Sequence, residues 1–374
     1  MILKALKYGS PNWSIVSGVT HDDFVAFENI NLIVGRNASG KTRFIDALRW
    51  ISDILDNESY VVNFAIISTF FELKFTDKKS VITYNLSFDN GSHIVDENFS
   101  IDGNVKLDRK NQKLFYEDIQ KYLSFDTNEK YLGISRKDSL QQPFFKKLQT
   151  WGENLSHYSF GGSMGKEQSI GYIENSDRIK FKNFNKVNVV FNEGKYQFGN
   201  IFEKNIINDM KSIDYFFDSI SLDTASSYLF LKVQEHDLKS PTYFENMSQG
   251  MARAFSLLVQ LNYSLMAKIP SCILIDDIGE GLDYERSKSL IELIIKKVEG
   301  SNIQLFMTTN DRFVMNSVPL KYWSVIHREG NKSVFYNYQN SKQTFDDFAF
   351  TGLNNFDFFA TDFYRMGFEE FITQ

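Results

Sequence analysis

The sequence predicts an α/β fold with a mixed β-sheet core and antiparallel hairpins in its N-terminal third. Three observations support this prediction. A run typical of a buried strand, residues 29–34, leads through a glycine-rich loop into an amphipathic helix. Short alternating runs joined by turn residues follow, which is typical of antiparallel hairpins. In the last third, strand and helix patterns succeed one another, which indicates parallel strands.

Composition and charge exclude several classes of protein. The 374 residues are 43% hydrophobic and 24% charged, which is ordinary for a soluble globular protein large enough for two domains. The net charge of −6 argues against a chain that coats nucleic acid by charge alone. No apolar run approaches the roughly 20 residues that span a bilayer, and the N-terminus lacks a signal-peptide pattern. Because Cys272 is the only cysteine, the chain has no disulfide framework and a reducing compartment fits it. Together with the lack of an apolar span and of a signal-peptide pattern, this predicts a cytoplasmic protein without membrane contact.

The glycine-rich loop carries a complete G-x-x-x-x-G-K-[ST] pattern. At the start of a helix, such a loop turns backbone N–H groups towards phosphate oxygens. Lys41 is expected to reach the β- and γ-phosphates of ATP, and the Thr42 hydroxyl to bind Mg²⁺. The residues expected around the phosphates are Gly35, Arg36, Asn37, Ala38, Ser39 and Gly40. The helix that follows is predicted from apolar residues at Phe44, Leu48, Ile51 and Leu55.

Hairpins and then a compact insertion are predicted next. Residues 70–75 and 81–88 flank a polar turn, and Asp102-Gly103 indicates a second hairpin. From about residue 110 to residue 220 the pattern predicts a mainly helical insertion, without the heptad repeat of a long coiled coil. The elements predicted inside it are helices over 115–123, 143–151 and 201–220, and strands over 131–135 and 186–191.

An acid pair closes a strand in the last third. Asp276 and Asp277 follow the apolar run 272–275, and Asp276 lies 235 residues after Lys41. Asp276 is expected to hold Mg²⁺, and Asp277 to polarise the attacking water. Alone, such a pair also fits the cap of a following helix. The neighbouring predicted elements are a helix opened by Ser248 and ended by Pro270, a helix over 287–298 closed by Gly300, and a strand over 304–309.

Four segments in this order resemble the motifs of ABC-type ATPases. They are 35–42 (Walker A), 247–253 (the signature segment), 272–283 (Walker B with the D-loop) and 308–311 (the switch segment). In that family an Asp precedes a catalytic Glu, and a second Asp falls six residues after the Glu. Asp276, Asp277 and Asp283 keep this register. The resemblance therefore implies an ABC-ATPase head fold.

The same resemblance implies a homodimer with ATP between its two copies. Lys41 and Asp276 would serve the nucleotide within one copy. Ser248 and Gly250 of the other copy would contact its γ-phosphate, and Asp283 is a further expected residue of the ATP site. ATP would hold the dimer together, and hydrolysis would release it.

Two departures from the family pattern predict slow hydrolysis. Asp277 stands where the family has Glu and is one methylene shorter, although RecF-type relatives share an Asp-Asp pair. Asn310 stands where the family has a catalytic His, and an amide cannot switch a proton. A glutamine that completes the Mg²⁺ shell is expected in the insertion. Gln142 or Gln141 is the candidate, and an ordinary turn glutamine is the alternative.

The insertion is similar to that of the chromosome-associated branch, which includes SMC-like heads, RecF-type mediators and overcoming-lysogenization-defect ATPases. The closest likeness is to small ATPases of bacterial anti-phage systems of the Septu and retron-linked type, through segments 136–145, 308–316 and 352–359. This likeness implies an ATPase that gates a partner effector, a nuclease or a toxin. The alternatives are a RecF-like repair ATPase that binds DNA itself and a nucleotide-dependent scaffold.

The chain is predicted to divide into four segments. Residues 1–109 and 221–340 form the two parts of the ATPase head, 110–220 the insertion, and 341–374 the C-terminal segment. This last segment holds nine phenylalanines and a net charge of −4. We expect it to pack on the body as short helices; a docking surface for a partner is the alternative. A basic stretch is compatible with nucleic-acid contacts, although a solvated face is the favoured interpretation. Its residues are Arg178, Lys180, Lys182 and Lys186, with Phe181 and Phe184 between them.

Overall fold

The computed structural model describes residues 1–18, 24–56, 68–126, 128–160, 171–172, 187–225 and 228–372. Contacts divide the chain into two compact units: unit 1 is Met1–Glu153 with Leu320–Gln374, and unit 2 is Asn154–Pro319. The four segments inferred from the sequence stay predictions. The basic stretch 178–186 lies outside the described residues.

The described residues form nineteen strands and ten α-helices. The strands are β1 (Ile2–Ser10), β2 (Trp13–Ser17), β3 (Val25–Ala26), β4 (Ile30–Val34), β5 (Thr69–Asp77), β6 (Ser80–Phe88), β7 (Ile94–Ile101), β8 (Asn104–Asp108), β9 (Lys113–Tyr116), β10 (Lys121–Ser124), β11 (Leu155–Ser159), β12 (Gly171–Tyr172), β13 (Phe217–Ala225), β14 (Tyr228–Glu235), β15 (Thr242–Tyr243), β16 (Ser271–Asp276), β17 (Ile303–Thr309), β18 (Trp323–Glu329) and β19 (Lys332–Asn337). The helices are α1 (Lys41–Asp56), α2 (Lys146–Glu153), α3 (Val187–Phe198), α4 (Asn200–Ser212), α5 (Gln249–Met266), α6 (Tyr284–Val298), α7 (Arg312–Ser317), α8 (Lys342–Ala349), α9 (Asn355–Ala360) and α10 (Phe363–Ile372). Within the described ranges, no helix is both long enough and apolar enough to cross a membrane.

Unit 1 contains one mixed sheet, in the order β10-β9-β8-β7-β6-β5-β1-β2-β19-β18-β4, with β3 paired to β1. Neighbours from β10 to β2 are antiparallel, whereas β2 with β19 and β18 with β4 are parallel. Both predicted hairpins are confirmed, as β5–β6 and β7–β8. In the second turn Asp102 and Gly103 have φ of 50° and 78°, which is the left-handed geometry of a two-residue hairpin.

The helix predicted after the glycine-rich loop is α1, and its apolar stripe forms part of the core of unit 1. Phe44, Leu48 and Ile51 have no exposed surface, and Leu55 is buried as well. The ring of Phe44 lies against Phe335 of β19, with centroids 5.2 Å apart. Burial of this stripe, at about 1.5–3 kcal/mol for each large side chain, fixes the helix on the sheet.

The C-terminal segment packs on unit 1, as the favoured prediction stated. Its centre is Phe358 of α9, which is fully buried. The rings of Phe345, Phe348 and Phe363 surround it, at centroid distances of 4.5, 5.1 and 6.0 Å. Asn354 and Asp357 form a capping box at the start of α9, which satisfies N–H groups that a short helix leaves open.

Unit 2 contains the parallel strands β17, β16 and β11. A second, antiparallel sheet has the order β12-β14-β13, with β15 on β14. The predicted succession of strand, helix and strand is confirmed as β16, α6 and β17. The helix opened by Ser248 is confirmed as α5, which ends at Met266, before Pro270. Helix α6 ends at Val298, before Gly300 with its φ of 74°.

The helix predicted over 115–123 is wrong. These residues form most of the hairpin β9–β10, which pairs with β8. Leu114 is buried, and Tyr122 packs on Phe115 with ring centroids 5.1 Å apart. Pairing with β8 satisfies the backbone and buries these side chains, and it overrides the helical spacing.

The strand predicted over 131–135 is also wrong, because these residues contain a 3₁₀ turn, Gly133–Ser135. The buried carboxylate of Glu97 accepts hydrogen bonds from the N–H groups of Gly133 and Ile134, at 2.7 and 3.0 Å. A distant strand, β7, therefore supplies the acceptor that holds the turn. The next prediction, a helix over 143–151, is confirmed as a 3₁₀ turn that continues into α2.

The described part of the predicted strand 186–191 lies in α3. A short apolar run fits either element, and here Val187, Val190 and Phe191 are buried at helical spacing. The helix predicted over 201–220 is confirmed only as far as Ser212, the end of α4. Asp214 follows with φ of 63°, and residues 217–220 belong to β13.

Phe358→Ala should lower the free energy of unfolding by about 3–5 kcal/mol, because it removes a fully buried ring from the centre of the C-terminal segment. Phe350→Ala is the matched control. That side chain is 86% exposed, and its loss should cost less than about 0.5 kcal/mol. Urea unfolding followed by circular dichroism measures both variants. Equal effects would contradict the packing described for this segment.

Candidate functional site

The phosphate loop, residues 35–42, joins the end of β4 to the start of α1 in unit 1. A Cβ at Gly35 would lie 2.5 Å from Ser39 Oγ and 2.8 Å from the Ile326 carbonyl oxygen. Gly40 has φ of +109°, and a Cβ there would lie 2.2 Å from Ser333 Oγ. Both positions therefore require glycine. Gly35 has no room for a Cβ, and Gly40 both lacks that room and has a backbone conformation that favours glycine.

A relay of two hydrogen bonds holds the loop from strand β19. Trp13 Nε1 donates to Ser333 Oγ over 2.8 Å, and Ser333 Oγ donates to the Ser39 carbonyl oxygen over 2.8 Å. The Ser39 hydroxyl is itself buried and has no hydrogen-bond partner within the part of the chain that the structure describes. A buried donor without a partner costs about 1–3 kcal/mol. A phosphate oxygen held by the loop would satisfy it.

Lys41 and Thr42 begin α1. The ammonium of Lys41 donates to the carbonyl oxygens of Gly35 and Arg36 at 2.7 and 3.3 Å, and the side chain is only 8% exposed. Thr42 is exposed on the first turn, where the helix dipole favours negative charge. An ammonium, a hydroxyl and a helix N-terminus suit a polyphosphate with a divalent cation.

Residues outside the motif contact Arg36 and Ala38 of the phosphate loop. Arg36 Nη2 pairs with the Asp362 carboxylate of the C-terminal segment at 3.2 Å. Asp362 also accepts a hydrogen bond from the Tyr364 hydroxyl at 3.2 Å. Arg328 of β18 donates to the Ala38 carbonyl oxygen at 3.3 Å. Ala38 has φ of 62°, a left-handed conformation that costs an alanine about 1–2 kcal/mol.

In unit 2 the acid pair stands at the end of β16. Asp276 is 7% exposed, and its carboxylate accepts a hydrogen bond from the hydroxyl of Thr308 on β17. The same hydroxyl accepts the N–H of Asp277 at 2.9 Å. One buried threonine of the switch segment therefore binds both members of the pair. The second oxygen of Asp276 can serve a cation, which is the role predicted for it.

Asp277 adopts a left-handed backbone, with φ of 53°. Asp and Asn tolerate this conformation better than longer residues, because the short side chain can bond locally. The backbone therefore accounts for an Asp at a position where the resembled family has Glu. The acid pair does not cap a helix, since the next helix in the chain, α6, is capped by Asp283.

The signature segment packs closely on the D-loop within unit 2. Ser248 is exposed and is the N-cap of α5, with its Oγ accepting the N–H of Met251 at 3.3 Å. A Cβ at Gly250 would lie 2.4 Å from the Gly281 carbonyl oxygen. Arg253, 2% exposed, donates from Nη1 to the Glu280 carbonyl oxygen at 2.7 Å. The start of α5 and the D-loop are thus in direct contact.

The remaining predicted residues take defined positions. Asp283 is exposed and caps α6, accepting the Arg286 N–H at 3.0 Å. Asn310 is exposed directly after β17. Gln142 is 3% exposed, and its Nε2 has no hydrogen-bond partner among the described residues. Gln141 is half-buried, and its carbonyl oxygen accepts the Glu117 N–H at 2.9 Å.

The chain belongs to the family described as "AAA domain, putative AbiEii toxin, Type IV TA system", which matches residues 30–316. Its fold is similar to that of an SMC head bound to the C-winged helix domain of ScpA, with a TM-score of 0.55 and 14% identity over 90% of this chain and 97% of that one. It is also similar to an SMC head with an extended coiled coil, bound to the C-terminal domain of ScpA derived from Pyrococcus furiosus (TM-score 0.54, 12% identity, 93% and 99% covered). No curated protein matches.

These comparisons confirm the predicted class, a P-loop ATPase of the ABC/SMC-like type related to defence-associated AAA proteins. The predicted fold, an ABC-type head with a mixed sheet, is confirmed with it. Sequence reasoning missed Trp13, Ser333 and Asp362, which hold the phosphate loop, and Thr308 as the partner of the acid pair. Only Thr308 carried a signal, because it belongs to the switch segment.

Thr308→Val should lower the free energy of unfolding by about 1–3 kcal/mol, because Asp276 and the Asp277 N–H both lose their partner. Valine has nearly the same volume, so the loss reports the hydroxyl rather than a cavity. Thr308→Ser keeps the hydroxyl and should cost about 1 kcal/mol for the lost methyl. Chemical unfolding compares the two variants. A valine variant as stable as the wild type would contradict the bridging role.

Proposed function

We propose that the chain binds ATP with Mg²⁺, hydrolyses it slowly, dimerises around it and thereby gates a partner effector. The observation that carries the proposal is the phosphate loop of unit 1. There, two positions restricted to glycine precede an ammonium and a hydroxyl at the start of a helix. Family membership supports a nucleotide-driven function for this loop.

The chain offers a chemically suitable set of groups for Mg-ATP. Backbone N–H groups of the loop would bind the phosphates, and Lys41 would bind the β- and γ-phosphates. Mg²⁺ commonly takes only one or two protein oxygens besides phosphate and water, and Thr42 and Asp276 are the proposed donors. Gln142 stays a predicted third ligand. Mg²⁺, when bound, neutralises charge on the phosphates.

Slow hydrolysis is supported by the two residues proposed to act on the attacking water. The left-handed backbone of Asp277 favours a short side chain, which limits its reach to a water molecule. Asn310 can hydrogen-bond to a phosphate but cannot accept and return a proton. Such chemistry suits a timer or sensor better than a rapid motor.

A homodimer is supported by the exposed residues at the start of α5 and at the D-loop. Ser248 and Asp283 are exposed, and the N-terminus of α5 carries the positive end of a helix dipole, which attracts a phosphate group. In the proposed dimer, Ser248 and Gly250 of one copy would contact the γ-phosphate of ATP bound by the other. Asp283 would lie beside it.

A protein partner is supported by the relatives. The family description names a toxin and a toxin–antitoxin system, and the similar SMC heads are bound to ScpA domains. We propose a nuclease or toxin as the effector, in prokaryotic anti-phage defence in the cytoplasm. Native purification of a tagged chain tests this. ATP-stimulated DNA binding by the chain alone, without a co-purifying effector, would instead support the RecF-like alternative.

Lys41→Ala should weaken ATP binding about 10- to 100-fold, because a charge-assisted contact to the phosphates contributes about 1.5–3 kcal/mol. Lys147→Ala is the matched control, since that lysine pairs with Asp77 on the same unit and should leave the affinity unchanged. Isothermal calorimetry measures binding. Equal ATP affinity for both lysine variants would contradict the site.

Phosphate release by the wild type should stay below about 10 per second, a typical enzyme value.

Asp277→Asn should form a dimer with Mg-ATP, because ATP stays intact between the two copies when the water is not activated. Size-exclusion chromatography with light scattering gives the mass directly. The double variant Asp277→Asn, Lys41→Ala is the control and should remain a monomer. If the Asp277→Asn chain is monomeric at every usable concentration, the proposed dimer is wrong for the isolated chain.

A further inference from the structure

A cluster of four side chains connects the D-loop to the loop that follows α4 inside unit 2. At its centre, Arg286 of α6 donates from Nη1 to the Asp283 carboxylate at 2.7 Å. Its Nη2 donates to the Asp214 carbonyl oxygen at 3.1 Å and to the Asp214 carboxylate at 3.2 Å. The guanidinium also lies over the ring of Tyr215, 4.6 Å from the centroid. One planar group thus joins two separate loops.

The loop that supplies Asp214 and Tyr215 is itself fixed. It follows α4, and Asp214 has φ of 63°. The N–H groups of Asp214 and Tyr215 donate to the carbonyl oxygens of Lys211 and Met210, at 3.1 and 2.9 Å. A turn closed in this way presents its carbonyl, carboxylate and ring to Arg286 in one geometry.

Tyr215 forms the partly buried side of the cluster. Its ring is half-buried, and burial raises the pKa of its phenol, while the charge of Arg286 lowers it. Arg286 therefore connects Tyr215 and Asp214 to Asp283. Asp283 is one of the residues proposed to lie beside the nucleotide of a second copy.

The ion pairs of this cluster are expected to contribute little to the free energy of unfolding. The side chains of Asp214 and Asp283 are 70% and 51% exposed, and that of Arg286 is 32% exposed. Exposed ion pairs contribute little to stability. A planar guanidinium with several fixed partners instead imposes geometry, which a lysine cannot do.

We propose that Arg286 and Tyr215 are positioning residues that hold Asp283 of the D-loop in the arrangement needed to receive ATP bound to a second copy of the chain. The inference rests on the proposed ATP-bound dimer. A surface ordered in advance loses less conformational entropy on association, so it binds more tightly. Loss of either residue then weakens the dimer, while each copy still binds ATP through its phosphate loop.

The test uses the full chain with Asp277→Asn and Mg-ATP, in which the dimer persists. Adding Arg286→Gln should weaken the dimer at least about ten-fold, measured as its dissociation constant by analytical ultracentrifugation. Tyr215→Ala removes the ring under the guanidinium and should also weaken the dimer. ATP affinity of the monomer should change less than about two-fold, within the scatter for distant sites.

Two further variants separate positioning from general damage. Lys232→Gln removes an ion pair of 2.7 Å with Asp223 on the separate antiparallel sheet of unit 2, and should leave the dimer unchanged. Arg286→Lys keeps the charge but not the planar group, and should behave like Arg286→Gln rather than like the wild type. Thermal unfolding of every variant shows whether it is folded; Arg286→Lys, which keeps the charge, decides the matter if Arg286→Gln is unfolded.

The outcomes distinguish this inference from the function on which it rests. If the Asp277→Asn chain forms no dimer, the proposed function and the inference both fail. If it forms a dimer that Arg286→Gln and Tyr215→Ala leave equally tight, the inference alone is wrong. If Arg286→Lys restores the dimer fully, charge rather than the planar group acts, and the positioning role of Arg286 is overturned.

Discussion

The structure depends on close packing at two glycine residues, Gly40 in the phosphate loop and Gly250 at the start of α5. At Gly40, the Ser333 hydroxyl stands where a side chain would lie, and that hydroxyl is itself fixed between the Trp13 indole and the Ser39 carbonyl oxygen. Contacts within unit 1 therefore order the phosphate loop. A loop fixed in this way would bind phosphate without first losing conformational freedom.

Unit 2 uses the same kind of contact for another purpose. The start of α5 lies against the D-loop because Gly250 leaves space for the Gly281 carbonyl oxygen, and the buried Arg253 closes the contact. At the acid pair, the Thr308 hydroxyl takes the organising role, since it meets a carboxylate and a backbone N–H together. The groups proposed to act on ATP are thus held by neighbours that do no chemistry themselves.

The sequence predicts best those features that short-range patterns determine. The strand, loop and helix around Lys41 carry a motif and a clear change of period, and the order of the four segments points to the ABC-type fold. Trp13, Ser333 and Asp362 could not be found in this way, because they lie far from the phosphate loop in the chain. The predictions for residues 115–123 and for the described residues 187–191 are wrong for a related reason: pairing with β8 and burial of one helical face decide their structure, and neither is visible in a short window. The left-handed backbone of Asp277 likewise became visible only in three dimensions, and it explains a departure from the family pattern that the sequence could only record.

The central claim is that two copies of this chain complete one ATP site, with the signature segment of one copy acting on the nucleotide of the other. The most direct measurement is a crystal structure of the Asp277→Asn chain with ATP and Mg²⁺. The account predicts a two-fold dimer in which Ser248 Oγ lies within hydrogen-bonding distance of the γ-phosphate held by Lys41 of the other copy. ATP bound to the phosphate loop with Ser248 of every copy remote from it would contradict the account.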